Sequence, residues 1–266
     1  MNPLICRVQH GPFVYYTCRR LPLRHAFTTK FGGVSTGHCE SLNLGFHRGD
    51  TEENVRENYH RLAEELGVDE NRITLTAQVH RTDITVVTEQ EAGTGISKPL
   101  SWETDALITN LPNTPLCAFS ADCVVVLLYD PVTHTAGAAH AGWRGMAAGI
   151  LPKTVSEMEK HFGTRRDSLI AVIGPSIRQE CFETDADVPE AMESQIGAWV
   201  QPYIKETGEK FYVDLQGIGA ALLSQSGLAQ EHIIDSGICT MCNSDEFWSH
   251  RKTNGVRGVQ VGIICL

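Results

Sequence analysis

Residues 121–145 read ADCVVVLLYDPVTHTAGAAHAGWRG and contain two apolar runs separated by a polar turn. Apolar runs of this length, bounded by turn residues, are typical of buried strands. We therefore predict strands over residues 123–129 and 134–140, joined at Asp130-Pro131 and followed by a helix near residues 143–162. Cys123 and His140 would lie close together in only some pairing registers of these strands, and the sequence leaves the register open.

The segments before this stretch predict a long loop, a helix and a strand. Residues 31–50 lack periodicity, whereas the following segment has apolar residues on one helical face, the capping-box spacing of Asp50 and Glu53 at its start, and Gly67 at its end. From Arg72 onward apolar and polar residues alternate, which predicts a strand with His80 on the polar face of its end.

Further elements are predicted along the rest of the chain. Strands are expected at residues 84–88, 105–109, 116–120 and 168–173, helices at 187–196 and 214–225, a surface loop at 89–104, and a closing hairpin around Asn254-Gly255. Pro152 predicts a kink or a restart in its helix. Because strict alternation of strands and helices fails between residues 72 and 140, we predict an α+β fold with mixed sheets, as a single domain over residues 1–266.

Composition limits the partners. The chain has 22 Lys and Arg against 32 Asp and Glu, and a net charge of −10 argues against a general nucleic-acid binder. The first residues lack the charged and apolar regions of a secretory signal, and the longest apolar run, Cys123–Tyr129, is too short to span a bilayer. Nine cysteines scattered among apolar stretches indicate free thiols. We expect a cytoplasmic monomer or small homo-oligomer that binds small molecules, without a nucleic-acid or membrane partner.

His80, Cys123 and His140 are candidate metal ligands and catalytic residues. A thiolate and two imidazoles are three suitable ligands for tetrahedral zinc, and they would leave the fourth position open to water. Zinc lowers the pKa of bound water from 15.7 to about 7, which supplies hydroxide at neutral pH. Spacing alone does not distinguish this site from three unrelated core or surface residues.

Two other motifs have competing interpretations. The Gly-flanked turn before the helix exposes backbone N–H groups, and Arg144 there could clamp a phosphate or simply lie exposed beside Trp143. Cys239 and Cys242 form a C-x-x-C pair that lacks a second ligand pair for structural zinc and the strand-to-helix junction of a redox motif. We therefore interpret them as structural thiols.

Several chemistries are disfavoured by missing motifs. A multicopper oxidase needs many histidines, and the chain contains no His-x-His, so copper ranks below zinc. The chain also lacks the phosphate-loop, nucleophile-elbow, His-Glu-x-x-His and cytidine-deaminase signatures.

Seven segments, in order, resemble the bacterial laccase-domain family. They are FTTKFGGVSTGHCESLNLG (27–45), QVHRTDITVV (78–87), TDALIT (104–109), ADCVVVLLYDP (121–131), AAHAGWRG (138–145), IGPSIRQECFET (173–184) and CTMCNSDEFWSHRK (239–252). The family is also called polyphenol-oxidase-like, and its members are described as purine nucleoside phosphorylases with adenosine deaminase activity.

The resemblance implies a single α+β domain and a zinc ion held by His80, Cys123 and His140. It also implies phosphorolysis of adenosine, inosine, guanosine and methylthioadenosine, together with hydrolytic deamination of adenosine. The substrates would be small purine nucleosides and phosphate. The older oxidase label conflicts with the copper argument and ranks lower.

The resemblance leads to a set of candidate residues beyond the metal ligands. Asp122 or Asp83 would handle protons during deamination, and the candidates for substrate or phosphate binding are Lys30, Asn43, Arg144 and Arg251. The family usually has Arg at the position of Lys30 and Gly at the position of Arg81. Lys lacks the planar fork of Arg, and Arg81 could narrow the entrance to the site.

Three alternatives remain open. Cys123 could be a nucleophile activated by His140 in a hydrolase that cleaves amide bonds of cell-wall precursors. The chain could also be a polyphenol oxidase, or a metal-binding protein without turnover.

Overall fold

The computed structural model describes all 266 residues and confirms the α+β class, because its strands and helices alternate irregularly. The strands are β1 Ile5–His10, β2 Phe13–Cys18, β3 Arg24–Thr28, β4 Thr74–Leu75, β5 Ile84–Val86, β6 Ala106–Thr109, β7 Leu116–Ser120, β8 Val124–Asp130, β9 Thr135–Ala141, β10 Ile170–Ile173, β11 Glu183–Thr184, β12 Ile204–Thr207, β13 Lys210–Val213, β14 Ile233–Asp235 and β15 Gln260–Cys265. The helices are α1 Glu52–Leu66, α2 Trp143–Ala147, α3 Ile150–Phe162, α4 Asp187–Ile196, α5 Leu215–Gln225 and α6 His250–Thr253. No helix has both the length and the apolar character that crossing a bilayer requires.

Two six-stranded sheets form the centre of the molecule. The first has the strand order β1-β2-β3-β15-β7-β4, and the second has the order β14-β10-β8-β9-β6-β5. A small third sheet, β11-β13-β12, lies outside them. Both large sheets mix parallel and antiparallel pairs, since β4 runs parallel to β7 and β5 runs parallel to β6.

Strand β8 shows why the second sheet is buried on both faces. Val124, Val126 and Leu128 belong to a core cluster shared with helices α2 to α5. Val125 and Leu127 belong to a second cluster shared with strands of the first sheet. Because alternate side chains point to opposite faces, a strand covered on both sides needs the continuous apolar run found in the sequence. A third cluster places α1 on the outer face of the first sheet.

Strands β8 and β9 form the predicted hairpin, and their register brings its two open ends together. Val125 pairs with His140 and Val124 pairs with Ala141. Cys123, immediately before β8, therefore lies at the same edge as the end of β9. This is the register that the sequence left open.

The helices follow the predicted pattern with two refinements. The cap of α1 is Thr51, whose hydroxyl accepts a hydrogen bond from the Asn54 N–H, rather than Asp50, so the predicted capping box is wrong by one residue. Gly67 ends α1 in the left-handed conformation at φ 63°, as predicted. The segment near 143–162 divides into α2 and α3 at Gly149, which has φ 80°, and Pro152 lies in the first turn of the restarted helix.

Two predicted elements are wrong. The closing hairpin does not form, because residues 250–253 make helix α6, which ends at Asn254 with φ 48°, and β15 pairs with β3 and β7 instead. The strand predicted from Arg72 to His80 is reduced to Thr74–Leu75. Beyond Leu75 the backbone bends, and His80 has a φ of 59°. The bend forms because the N–H group of His80 donates to the Asp105 side chain rather than to a neighbouring strand.

Candidate metal centre and cavity

The side chains of His80, Cys123 and His140 converge at one point. The potential ligand atom of each lies within 4.8 Å of the other two. The two imidazole rings are 4.8 Å apart between centroids and are inclined by 79°. Residues distant in sequence therefore form a compact set of one sulfur and two nitrogens.

Neighbouring strand ends create this convergence. Cys123 immediately precedes β8, and His140 lies near the end of β9. Asp105 immediately precedes β6, which pairs with β9, and its carbonyl accepts the His140 N–H at 2.8 Å. The neighbouring ends of β8, β9 and β6 therefore supply two of the three candidate ligands and the carboxylate that organises them.

Asp105 is a fully buried carboxylate with four hydrogen bonds. Oδ1 lies 2.8 Å from His140 Nδ1 and accepts the His80 N–H at 3.0 Å. Oδ2 accepts the N–H groups of Val79 and Arg81, both at 3.1 Å. Burial would raise the pKa of Asp105, but the hydrogen bonds from His140 and these N–H groups outweigh it and lower the pKa. A single carboxylate thus fixes the turn that presents His80 and the ring of His140.

The donor chemistry fits a transition-metal ion. Because Asp105 binds His140 Nδ1, Nε2 is the ring atom left to bind an ion, as is usual for metal-ligating histidines. Burial would lower the pKa of His140, but the neighbouring Cys123 sulfur and Asp105 outweigh it and raise the pKa to about 9. The pKa of His80 is lowered by burial and by the proximity of His140.

Because Gly142 has no side chain, the rings of His80 and His140 can occupy the space beside it. A Cβ atom at this position would lie 2.6 Å from His80 Nδ1 and 3.2 Å from His140 Cε1. Both distances are shorter than ordinary van der Waals contact, so a side chain at Gly142 would displace the candidate ligands. The glycine of the AAHAGWRG segment therefore serves the geometry of the site.

A cavity of about 430 Å³ contains the cluster, and this volume lies in the range of small-molecule sites. Its apolar wall includes Phe119, Trp143, Ile177, Phe182 and Leu215. A second cavity of about 580 Å³ shares Arg48, Gln78, Phe119 and Val259 with the first. The cluster therefore lies in a space suited to a ligand with a flat, largely apolar part.

Three arginines line the same cavity: Arg48, Arg251 and Arg257. Nε of Arg257 is buried without any hydrogen-bond partner, although Nη2 contacts His250 Nδ1 at 3.3 Å. Burial and the nearby charge of Arg48 lower the pKa of Arg257 to about 10. A half-buried guanidinium whose Nε lacks a partner, next to other arginines, is the arrangement expected for binding an anion.

Asp122 lies in this cavity wall, but its carboxylate oxygens are already engaged. Oδ1 accepts the Thr240 hydroxyl at 2.6 Å, and Oδ2 accepts the Ser249 hydroxyl at 3.1 Å and the Arg251 N–H at 2.7 Å. The residue has φ 93°, an uncommon conformation for a residue other than glycine. Its geometry is that of an anchor that positions the segment of Arg251.

Other candidates from the sequence lie outside the cavity lining. Lys30 Nζ donates to the Ser244 carbonyl at 2.8 Å. Asn43 is fully buried, where it binds Asp50 Oδ2 and the backbone of Gly45 and Val259.

The side chains of three charged residues near the candidate metal centre also do not line the cavity. Arg144 is exposed, with its guanidinium carbon 4.0 Å from the centroid of the Trp143 ring. Asp83 pairs with Arg81 at 3.0 Å. Arg81 also contacts Glu103, so its side chain does not narrow the cavity as expected.

Sequence reasoning missed Asp105, Arg48 and Arg257. Asp105 is the acidic first residue of the strand predicted at 105–109, a position at which a buried carboxylate needs strong partners. Arg257 lies in the short segment VRG (256–258), which follows Asn254-Gly255 and is typical of a surface turn. Its burial depends on packing between distant segments, so no local signal reveals it.

Comparisons with known proteins agree on one family. Residues 24–266 match the family described as "Multi-copper polyphenol oxidoreductase laccase". The chain is 33% identical over 240 residues to a Bacillus subtilis protein named purine nucleoside phosphorylase YlmD, covering 90% of this chain and 86% of that protein. It is 36% identical over 247 residues to a Deinococcus radiodurans protein named purine nucleoside phosphorylase, covering 92% and 90% of the two chains. The crystal structure of the hypothetical protein YfiH from Bacillus licheniformis superposes with a TM-score of 0.93 at 30% identity and covers 98% of each chain.

Proposed function

The chain belongs to the multi-copper polyphenol oxidoreductase laccase family, and because its relatives are named purine nucleoside phosphorylases, we propose that it cleaves purine nucleosides with phosphate. The observation that carries this proposal is the placement of the His80, Cys123 and His140 cluster in one cavity with the unpartnered Nε of Arg257. Phosphorolysis needs an anion site beside a site for a flat heterocycle. The cavity has arginines for the anion and apolar side chains for the heterocycle.

Zinc is the ion that we propose for the cluster. One thiolate and two imidazoles leave one tetrahedral position free, as in catalytic zinc sites. The family description mentions several copper ions, but only one of the two clusters of metal-ligating side chains contains histidine. A multicopper oxidase needs histidines for each further copper ion. When bound, zinc would supply a Lewis acid that orients and polarises an oxygen atom.

The residues of the chain suggest how the reaction proceeds. Arg257, Arg48 and Arg251 hold phosphate by charge and hydrogen bonds, while Phe119 and Phe182 are among the residues that offer apolar surface to the purine. A phosphate oxygen forms a bond to the ribose C1′ as the bond from C1′ to the purine nitrogen breaks. The bonding electrons leave with the purine, which takes up a proton, and the products are ribose 1-phosphate and the free base. His250 also lines the cavity, but burial and the charge of Arg257 lower the pKa of its imidazole, so the proton comes from solvent rather than from an imidazolium at this position.

The substrates that we propose are adenosine, inosine, guanosine and methylthioadenosine, with hydrolytic deamination of adenosine as a second activity. The support for this range is the family resemblance. The hydrogen bonds of Asp122 and the position of Asp83 outside the cavity argue against either as the proton carrier for deamination. The nine free cysteines are consistent with the cytoplasm as the location.

Replacing Arg257 tests the phosphate site. In Arg257→Gln we expect KM for phosphate to rise at least about tenfold, because hydrogen bonds to charged groups contribute roughly 1.5–3 kcal/mol each. Zinc content should stay unchanged. Arg165→Gln is the matched control, since Arg165 forms an exposed ion pair with Asp167. An unchanged KM for phosphate in Arg257→Gln would contradict the assignment.

A hydrolase with a Cys123 nucleophile remains a second candidate, because His140 contacts the Cys123 sulfur closely enough to raise the pKa of the imidazole. Such an enzyme would form a covalent adduct at Cys123 during turnover. Mass spectrometry distinguishes the phosphorylase from the hydrolase. The protein is quenched during turnover of inosine and phosphate, and separately during incubation with amide substrates. We expect no adduct at Cys123 with either set of substrates.

A further inference from the structure

A second cluster of sulfur atoms lies outside the cavity lining. The sulfurs of Cys181, Cys239 and Cys242 all lie within 4.8 Å of one another, and those of Cys181 and Cys242 are 3.4 Å apart. Cys239 and Cys242 come from the C-x-x-C segment, whereas Cys181 ends a short helical turn about sixty residues earlier in the chain. The third ligand that the C-x-x-C pair lacked in the sequence is therefore supplied by the fold.

The spacing of the sulfurs suits a shared ion. A zinc–sulfur bond of about 2.3 Å in tetrahedral geometry places two sulfurs about 3.8 Å apart. The 3.4 Å between the Cys181 and Cys242 sulfurs is close to this separation, the other two distances do not exceed 4.8 Å, and all nine cysteines of the chain are free thiols. A disulfide, with sulfurs about 2.05 Å apart, would use two of the three and leave the third without a role.

The cluster extends from a buried cysteine to an exposed one. Cys239 is 6% exposed, while Cys242 is exposed to solvent, so an ion could enter and water could complete its coordination. No His, Asp or Glu side chain belongs to the cluster.

We propose that Cys181, Cys239 and Cys242 bind a second zinc ion, with the fourth position open to solvent. Binding of this ion can be measured without the proposed nucleoside activity, although the role given to it here rests on that proposed function. The ion would join two loops that reach the cavity: Cys181 precedes Phe182 of the cavity wall, and the carbonyl of Cys181 accepts a hydrogen bond from Arg251 Nη1 at 3.3 Å. Its role would be to position Phe182 and Arg251 rather than to contact substrate.

Metal counting on the full chain tests this proposal. We expect two zinc ions per wild-type chain, one in Cys181→Ser/Cys242→Ser, one in Cys123→Ala, and none when all three changes are combined. The exposed Cys242→Ser single variant keeps the test valid if the double variant fails to fold, and it should bind the second ion at least about tenfold more weakly. Cys6→Ser, a half-buried cysteine outside both clusters, is the control and should retain two ions.

Cobalt(II) substitution gives a readout that does not depend on activity. Cobalt in the Cys123→Ala protein should show a strong thiolate-to-metal charge-transfer band, which the further change of Cys181 and Cys242 removes. The proposal is overturned if wild-type protein binds a single zinc ion, or if the double variant retains two. It is equally overturned if freshly purified protein contains a Cys181–Cys242 disulfide in place of the ion.

Discussion

Asp105 controls the geometry of the candidate metal centre although it is not one of the three proposed ligands. It holds both the ring of His140 and the turn that presents His80. Asn cannot accept the same number of hydrogen bonds, and it removes the negative charge that favours a basic imidazole.

We therefore predict that Asp105→Asn binds zinc about 10–100-fold more weakly, the usual effect of changing a partner of a metal-ligating histidine. A competition titration against a chromogenic chelator measures this. Asp83→Asn is the matched control, because that carboxylate is exposed and pairs with Arg81. Equal zinc affinity in Asp105→Asn and wild type would show that the carboxylate does not support the ligands.

The three candidate ligands could be named from the sequence together with the family resemblance, whereas the role of Asp105 could not. Cys123 and His140 stand beside apolar runs that identify strand ends. The role of Asp105 requires the pairing of β6 with β9, which no local pattern specifies. Arg257 was missed for the same reason, because its burial depends on contacts between distant segments.

The β8–β9 hairpin is the element that joins the core to the site. At its closed end Asp130 is fully buried and accepts hydrogen bonds from the N–H groups of Val132 and Arg165 and from the hydroxyls of Thr133 and Ser168. Burial would raise the pKa of Asp130, but these hydrogen bonds outweigh it and lower the pKa. A depressed pKa means that this carboxylate stabilises the fold above its unfolded pKa and loses that contribution as the pH falls.

We predict that Asp130→Asn lowers the free energy of unfolding by about 3 kcal/mol, because hydrogen bonds to charged groups contribute roughly 1.5–3 kcal/mol each. Zinc content should be unchanged, since the closed and open ends of the hairpin are separated by the length of the strands. Urea unfolding followed by circular dichroism measures the stability. The exposed Asp167→Asn is the control and should unfold like wild type. A loss of zinc in folded Asp130→Asn would contradict the separation of the two ends.

Elements with strong local signals were predicted well. Helix α1, a restart in the helix that contains Pro152, and the β8–β9 hairpin follow from periodicity, proline and turn chemistry, although the break itself lies at Gly149. The closing hairpin failed because Asn254-Gly255 also suits the end of a helix, and Ser249 caps α6 there. The strand predicted up to His80 was wrong because hydrogen bonding to the Asp105 carboxylate replaces the strand pairing that the alternating pattern predicted.

At the scale of the whole molecule, the sheet edge, the loop of His80 and the C-terminal segment meet around one cavity. A metal ion there must compete with protons, because an imidazole binds metal only when it is neutral. In the metal-free protein the pKa of His140 is raised to about 9. With this pKa the imidazole carries a proton at neutral pH, which a metal ion bound there would have to displace.

We predict that zinc affinity increases as the pH rises and levels off above about pH 9. A raised pKa in the metal-free state means that proton binding opposes metal binding below that pH, by up to about tenfold per pH unit for one proton. Chelator competition across this range measures the dependence, and proton release on zinc binding checks it independently. An affinity that does not change with pH would contradict the predicted displacement.

The most direct measurement combines zinc content with the formation of ribose 1-phosphate from inosine and phosphate. Wild-type protein should form the product, and Cys123→Ala, with its fold verified by circular dichroism, should lose one zinc ion and at least about 99% of the activity, since a metal ligand contributes more than the 10–100-fold of its supporting residues. Full phosphorolysis by Cys123→Ala lacking that ion, or no ribose 1-phosphate from zinc-loaded wild type across the purine nucleosides, would contradict the account.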